Sequence, residues 1–300
     1  MCFALLVILT PANASSEEVL PKLHVRHSYN VSSDQVYARR TEYFVALLQL
    51  ALKKSGREFS TEKIEINTIT ESRNTRNVLS GLYDVNWMNT NREREAILQA
   101  VRIPLFKGLI GWRLMLTHRD NQNFVKDFDS LENLKFQVIG QGHDWPDTQV
   151  LRYHNFSVVL SASRDSLVQM LVRKRIDYFP RSIFEIWDEY EFFSNMTYAD
   201  SDDFPIEIEN SIALSYPAAC YFFVKKDNHV LAEALSDGLK AAINDGSFDT
   251  LFYAHFGEAI RKANLDKRKV FYLTNPTMSD ETPLDKKELW FTVDDLKDLN

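Results

Sequence analysis

Cysteine is nearly missing from this chain. Only Cys2 and Cys220 occur in 300 residues, with no C-x-x-C, so no disulfide framework, zinc ribbon or dithiol motif is readable. Cys220 lies in the apolar run Ala218-Ala-Cys-Tyr-Phe-Phe-Val224, which predicts a buried strand residue. An excess of positive charge is missing too. Thirty-five Lys and Arg against 42 Asp and Glu give a formal charge of −7, and a nucleic-acid partner would need a basic footprint. Glycine is scarce at nine residues, which leaves little for long flexible linkers. No apolar run approaches the ~20 residues that span a bilayer. G-x-S-x-G, H-E-x-x-H and P-loop patterns are all absent. His24 and His27 are three apart on a strand, point to opposite faces and do not chelate together. Neither a metal nor a cofactor is called for.

What is present suits a large, ordinary core: 45% apolar and 26% charged residues, with 20 Phe and 12 Tyr. That length allows two domains of about 150 residues each. At the N-terminus, the run Phe3-Ala-Leu-Leu-Val-Ile-Leu9 followed by Ala12-Asn-Ala14 has the apolar region and A-x-A site of a secretory signal, with cleavage expected after Ala14. The sequons Asn30-Val-Ser, Asn155-Phe-Ser and Asn195-Met-Thr carry meaning only in a eukaryotic secretory pathway.

Strands and helices then alternate. Leu23–His27 alternates in polarity as a strand does. Ser32-Ser-Asp34 caps a helix to about Lys54, closed by Gly56, whose Val36, Tyr43, Phe44, Leu47, Leu48, Ala51 and Leu52 form one stripe. Strands are expected over 64–68 and 84–88, with a helix over 75–80 between them. A long strand over 110–118 leaves the first lobe. The second lobe repeats the pattern: strands over 135–139, 157–160 and 176–179, helices over 148–154 and 163–174, and a helix opened by Pro180 and Arg181. The strand 220–225 returns, and helices over 229–244 and 248–255 finish the unit. Alternation of this kind implies βαβ architecture. Glu185 and Glu189, four apart on a helix, are expected to share a solvated face.

Five pieces in order carry a resemblance. Ser80-Gly-Leu-Tyr-Asp-Val-Asn-Trp-Met-Asn-Thr-Asn-Arg-Glu-Arg-Glu95 and Val172-Arg-Lys-Arg-Ile-Asp-Tyr-Phe-Pro-Arg-Ser182 each read as helix end, turn, aspartate, strand and new helix. With them stand Leu131–Gly140, Phe223–Asp227 and Ala241–Phe248. Together, over about Leu23 to Gly257, they resemble the extracellular solute-binding proteins of the type 2 periplasmic binding fold, amino-acid-binding family 3-like, that serve ABC transporters. The resemblance implies an α/β, two-lobed fold, each lobe a mixed sheet flanked by helices, the two joined by crossing strands. On this reading residues 1–14 are the signal, 15–115 and 220–260 lobe one, 116–219 lobe two, and 261–300 an extension. That extension either packs Trp290 and Phe291 onto one lobe or is partly disordered.

The same resemblance places the ligand site. The turn after lobe one's third strand offers a hydroxyl and an arginine to a carboxylate: Arg94 matches the arginine, and Thr90 or Asn89 the hydroxyl position. Arginine suits the task because its planar fork makes two charge-assisted bonds. The alternative is a solvated helix start. The facing grip is the loop Gly140-Gln-Gly-His-Asp-Trp145, in which Gly142 lets a ligand approach the backbone, His143 and Trp145 add a donor and a ring, and Asp144 completes the loop. The alternative is that His143 caps the following helix. Tyr29 and Trp87 are counted among the ligand-lining residues. Where amino-acid binders place an aspartate for the ligand's ammonium, this chain has Ser182, with Arg181 beside it, so an anion is expected. The implied function is capture of a small polar, anionic or amino-acid-like ligand by a monomeric periplasmic protein, without catalysis, for a transporter. A periplasmic lyase using His143 and Asp144, or a soluble partner of a membrane sensor, is the alternative.

Overall fold

The computed structural model describes residues 22–31, 35–67, 70–121, 130–196 and 204–298, with 35–39 and 298 described by backbone alone. The signal, the Ser32–Asp34 cap and the side chain of Val36 therefore lie outside the described residues. In chain order the first elements are β1 (Leu23–Asn30), α1 (Gln35–Lys54), β2 (Phe59–Ile66), α2 (Glu71–Ser80), β3 (Val85–Asn89), α3 (Arg92–Ile97) and β4 (Leu98–Val101). Next come β5 (Trp112–His118), α4 (Leu131–Lys135), β6 (Val138–Gly142), α5 (Pro146–Tyr153), β7 (Ser157–Ser161), α6 (Arg164–Val172), β8 (Tyr178–Ser182) and α7 (Ile183–Ser194). The last are β9 (Ile206–Ile208), β10 (Ile212–Ser215), β11 (Cys220–Lys225), α8 (His229–Asn244), α9 (Ser247–Ala263) and β12 (Lys269–Tyr272).

Among the described residues the strands form two mixed sheets, in the orders β2-β1-β3-β11-β4 and β12-β10-β5-β8-β6-β7, with β9 also on β5. In the first, β1 runs parallel to β2 and β3, and β11 antiparallel to β3 and β4. In the second, β5 is central and buried along its whole length, which is why it reads as an almost continuous apolar run. Local chemistry fixes the element ends. Thr70 accepts the Arg73 N–H at the start of α2, and Gly81 closes that helix. Asn91 accepts the Arg94 N–H at 2.7 Å to start α3.

The stripe of α1 is as expected, with Leu47, Leu48, Ala51 and Leu52 fully buried. Several expectations shift. The strand expected over 135–139 runs Val138–Gly142, because Lys135 ends α4. β2 begins at Phe59 rather than Ile64, because it is an edge strand whose exposed face is polar. The strand after Asp177 continues through Pro180 and Arg181, with Pro180 opposite Met115, so the helix opens only at Ile183, after a Ser182 cap. Glu185 and Glu189 are buried rather than solvated.

The sheets are not separate bodies. One buried cluster runs from Val25 and Leu48 to Leu167 and Ile206, and Phe106 stacks on Phe184 of α7 at 4.3 Å. Two segments cross between the sheets side by side: Leu105 N–H donates to the Cys220 carbonyl at 2.9 Å and Tyr216 N–H to the Gly111 carbonyl at 3.2 Å. The extension touches both sheets, not one. β12 pairs with β10 in the second, while Met278 is buried with Met88, Leu98 and Tyr221 of the first.

Candidate functional site

Where the crossings meet, a cavity of about 10 Å³ is lined by Asn89 and Thr90 from the first sheet, Arg113, Pro146 and Asp147 from the second, Ile110, Ala218 and Ala219 from the crossings, and Asn275 from the extension. That is about the room one water needs, far below the few hundred Å³ of a usual ligand pocket.

On the lobe-one wall, Thr90 donates its hydroxyl to Glu95 Oε1 at 2.5 Å, and its N–H to the Ala219 carbonyl at 2.8 Å. Asn89 Nδ2 donates to Glu71 Oε1 at 2.7 Å. Glu71 in turn faces Arg94, whose Nη2 lies 3.0 Å from Glu71 Oε2 and whose Nε donates to Thr75 Oγ1 at 3.1 Å. Burial pushes the Glu71 carboxyl up, against the pull of the Arg94 guanidinium. Arg94 Nη1 is buried with no partner among the described residues. Arg94 does not itself line the cavity; it reaches the lining through Glu71, which holds Asn89.

Across the cavity, Asp147 sits in the first turn of α5, just after Pro146. Its Oδ1 accepts Arg113 Nη2 at 2.6 Å and the Tyr216 hydroxyl at 2.5 Å. Arg113 also points Nη1 toward Glu185, 3.6 Å away. The cavity is thus flanked by two neutral pairs, Arg94 with Glu71 and Arg113 with Asp147.

The expected residues divide. Asn89 and Thr90 line the cavity, and Arg94 lies behind them. Gly142, Trp145 and Arg181 form a separate cluster in the second lobe. A Cβ on Gly142 would fall 2.3 Å from the Trp145 ring, so that ring occupies the approach that glycine opens. Trp145 stacks on Phe179 at 6.2 Å and carries the Arg181 guanidinium 4.7 Å over its face. Arg181 is tied to Glu189 at 2.5 and 2.7 Å and to Glu185 at 2.9 Å. Arg181 is thus engaged by two carboxylates within its own lobe, and it does not line the cavity. Ser182 is buried and donates to the Leu109 carbonyl at 3.0 Å. His143 and Asp144 are exposed, with His143 Nδ1 3.4 Å from the Ser161 carbonyl oxygen. Tyr29 lies under Lys63 Nζ at 4.3 Å, and Trp87 stacks on Phe44 at 4.8 Å.

Arg113, Asp147, Glu71 and Asn275 were not expected from sequence. Arg113 did leave a signal, as the one charge inside the apolar run Ile110–Thr117. Asn275 left none.

No protein-family model matches the chain, and no curated protein sequence matches it. Solved structures do. The periplasmic VFT2 domain of BvgS from Bordetella pertussis aligns with a TM-score of 0.55 at 19% identity, over 77% of this chain and 93% of that one. An ancestral arginine-binding protein bound to arginine aligns at 0.54 and 16%, over 78% of this chain and 98% of that one. A histidine kinase sensor domain with similarity to periplasmic binding proteins aligns at 0.52 and 14%, over 78% and 96%. These likenesses show the fold: the chain has the two-lobed α/β architecture of type 2 periplasmic binding proteins.

Proposed function

We propose that this protein is a periplasmic solute-binding protein that closes on a small ligand carrying both a carboxylate and an ammonium group, and that delivers it to a membrane transporter. On this reading the lobes are built on the two sheets, residues 22–101 with 220–263 and residues 112–215, and divide at the crossings. The observation that carries the reading is the pairing of charges around the cavity. Arg94 Nη1, buried and without a partner among the described residues, is the donor for a carboxylate. On the facing wall both bonds to Asp147 fall on Oδ1, which leaves Oδ2 to accept from an ammonium. Asn89 and Thr90 supply the polar floor. Each satisfied charged hydrogen bond contributes about 1.5–3 kcal/mol to closure. Entry requires the lobes to part, by hinge motion in the crossing segments 102–111 and 216–219. The role is binding, not turnover, since His143 and Asp144 stand exposed outside the cavity.

Mass spectrometry of small molecules that co-purify, followed by a thermal-shift panel, tests this. Amino acids are expected to raise the melting temperature more than the corresponding 2-hydroxy acids or amines, which lack one of the two charges. Arg94→Ala is expected to weaken the best binder by roughly 2–5 kcal/mol. A hydroxy acid that binds as well as its amino acid, or full binding by Arg94→Ala, overturns the assignment. A second reading, presentation of the ligand to a membrane sensor, draws on the likeness to a histidine kinase sensor domain. Deleting the protein separates the two: loss of ligand uptake speaks for transport, loss of a ligand response with intact uptake for sensing.

A further inference from the structure

We infer that residues 269–291 form a strap that ties the two lobes together at the mouth of the cleft, contributes Asn275 to the site, and gates opening by releasing its lobe-one half. The strap has two anchors of different character. Its lobe-two anchor is built into the sheet: β12 pairs with β10 from Ile212↔Lys269 to Ser215↔Tyr272, and Leu273 N–H donates to the Ser215 carbonyl at 2.8 Å. Phe271 and Leu273 are buried beside Leu134, Leu151 and Phe156. His154 Nε2 of the second lobe lies 2.9 Å from the Thr274 carbonyl oxygen.

Asn275 follows at the cavity wall. Its Nδ2 donates to the Pro217 carbonyl at 2.8 Å, and its Oδ1 accepts the Thr277 N–H at 2.9 Å and hydroxyl at 2.7 Å. The lobe-one anchor begins at once. Arg92 donates Nη1 to the Pro276 carbonyl at 2.5 Å and its N–H to the Thr277 carbonyl at 3.2 Å. Arg92 also pairs with Asp280 at 3.0 Å, and Arg102 with Glu281 at 2.9 Å. Arg102 holds Glu95 as well, the carboxylate that takes the Thr90 hydroxyl. Beyond it, the Trp290 ring lies where a Cβ on Gly108 would fall, 2.4 Å away.

Only Asn275 separates Thr274, held by the second lobe, from the Pro276 carbonyl, held by the first. An extended residue spans at most about 3.6 Å, so the link holds almost no slack for a hinge opening of several ångströms. One anchor has to let go. Asp280 and Glu281 are 95% and 71% exposed, and exposed ion pairs are individually weak and screened by salt. The lobe-two anchor is a hydrogen-bonded ladder over buried side chains. The lobe-one half buries Met278 with Met88, Leu98 and Tyr221, but it joins no strand ladder and its ion pairs stand in solvent, so it is the releasing half. This rests on the two-lobed architecture and not on the ligand's identity, and its test uses no ligand.

In the full chain, the double variant Asp280→Arg with Glu281→Arg places like charges against Arg92 and Arg102. Hydrogen exchange at the Arg92 amide, which the Thr277 carbonyl protects, is expected to quicken several-fold, together with exchange across 216–219. Leu273 should stay protected, and small-angle scattering should show a larger radius of gyration. The neutral variant Asp280→Asn with Glu281→Gln keeps the Arg92 bond to the Pro276 carbonyl; it is expected to quicken exchange less than the double arginine variant while circular dichroism stays unchanged in both, which separates release from misfolding. Faster exchange at Arg92 with an unchanged scattering profile overturns the gating role. Unchanged exchange at Arg92 shows the ion pairs are no fastening, and equal loss of protection at Leu273 overturns the asymmetry. Each of these outcomes leaves the ligand reading standing.

Discussion

Glu189→Gln probes the charge network that seats α7 between the second sheet and α1. Glu189 is fully buried. Its carboxylate takes Arg181 through Nε at 2.5 Å and Nη2 at 2.7 Å, Arg40 at 3.1 Å and Arg164 at 3.5 Å. Glutamine has nearly the same volume, so no cavity enters the account. It is neutral, however, and it turns an NH₂ donor toward guanidinium donors. Removing one partner of a buried ion pair costs about 3–5 kcal/mol, because the other charge stays buried uncompensated. Arg181 and Arg40 both keep Glu185, at 2.9 and 3.0 Å, which places the expected loss near the lower end, ~3 kcal/mol. At roughly 2–4 °C per kcal/mol, the melting temperature should fall by about 6–12 °C. Urea unfolding followed by circular dichroism, alongside calorimetry, measures the loss. The control Glu62→Gln removes the partner of His24 in an exposed pair, and it should stay within about ±0.5 kcal/mol. A loss under 1 kcal/mol for Glu189→Gln refutes the reasoning, since it means the arginines are balanced without that carboxylate.

Acid should act through the same network. Burial pushes the Glu185 carboxyl up, but the guanidiniums of Arg181, Arg40 and Arg113 outweigh it and hold it down at about 2. A carboxyl depressed in the folded state stabilises fully above its unfolded pKa and loses that contribution as pH falls through the folded one. Stability should therefore decline between about pH 5 and 2, with a shallower decline in Glu185→Gln; parallel pH–melting curves for the two proteins would rule the linkage out. At the N-terminus, the secreted protein is expected to begin at Ser15. Sequencing that finds Met1 retained on cytosolic protein removes the signal, and with it the periplasmic placement.

What the sequence disclosed and what it hid differ in physical kind. Periodicity and punctuation are local, so α1 with its buried stripe, α8 over His229–Asn244 and β11 over Cys220–Lys225 were legible residue by residue. Pro180 was misread because proline favours the first turn of a helix, yet the same missing N–H is tolerated in a strand where no ladder bond is asked of it. Spacing put Glu185 and Glu189 on one helical face correctly, but nothing local says which surface that face meets. Here it meets four arginines drawn from α1, β5, α6 and β8. The partners of the cleft's charged groups are hidden in sequence for the same reason. Arg181 without an adjacent acid reads as an unbalanced cation, while Asp147, in the first turn of a helix after a proline, reads as an ordinary helix start. Only the tertiary fold hands Glu189 to Arg181 and turns Asp147, with Arg113, toward Asn89 and Thr90. Charge in a closed cleft is a property of pairs distant in sequence, and in this chain the pairs come out neutral on both walls. On the proposed binding role, the ligand matched to such walls would carry one charge of each sign.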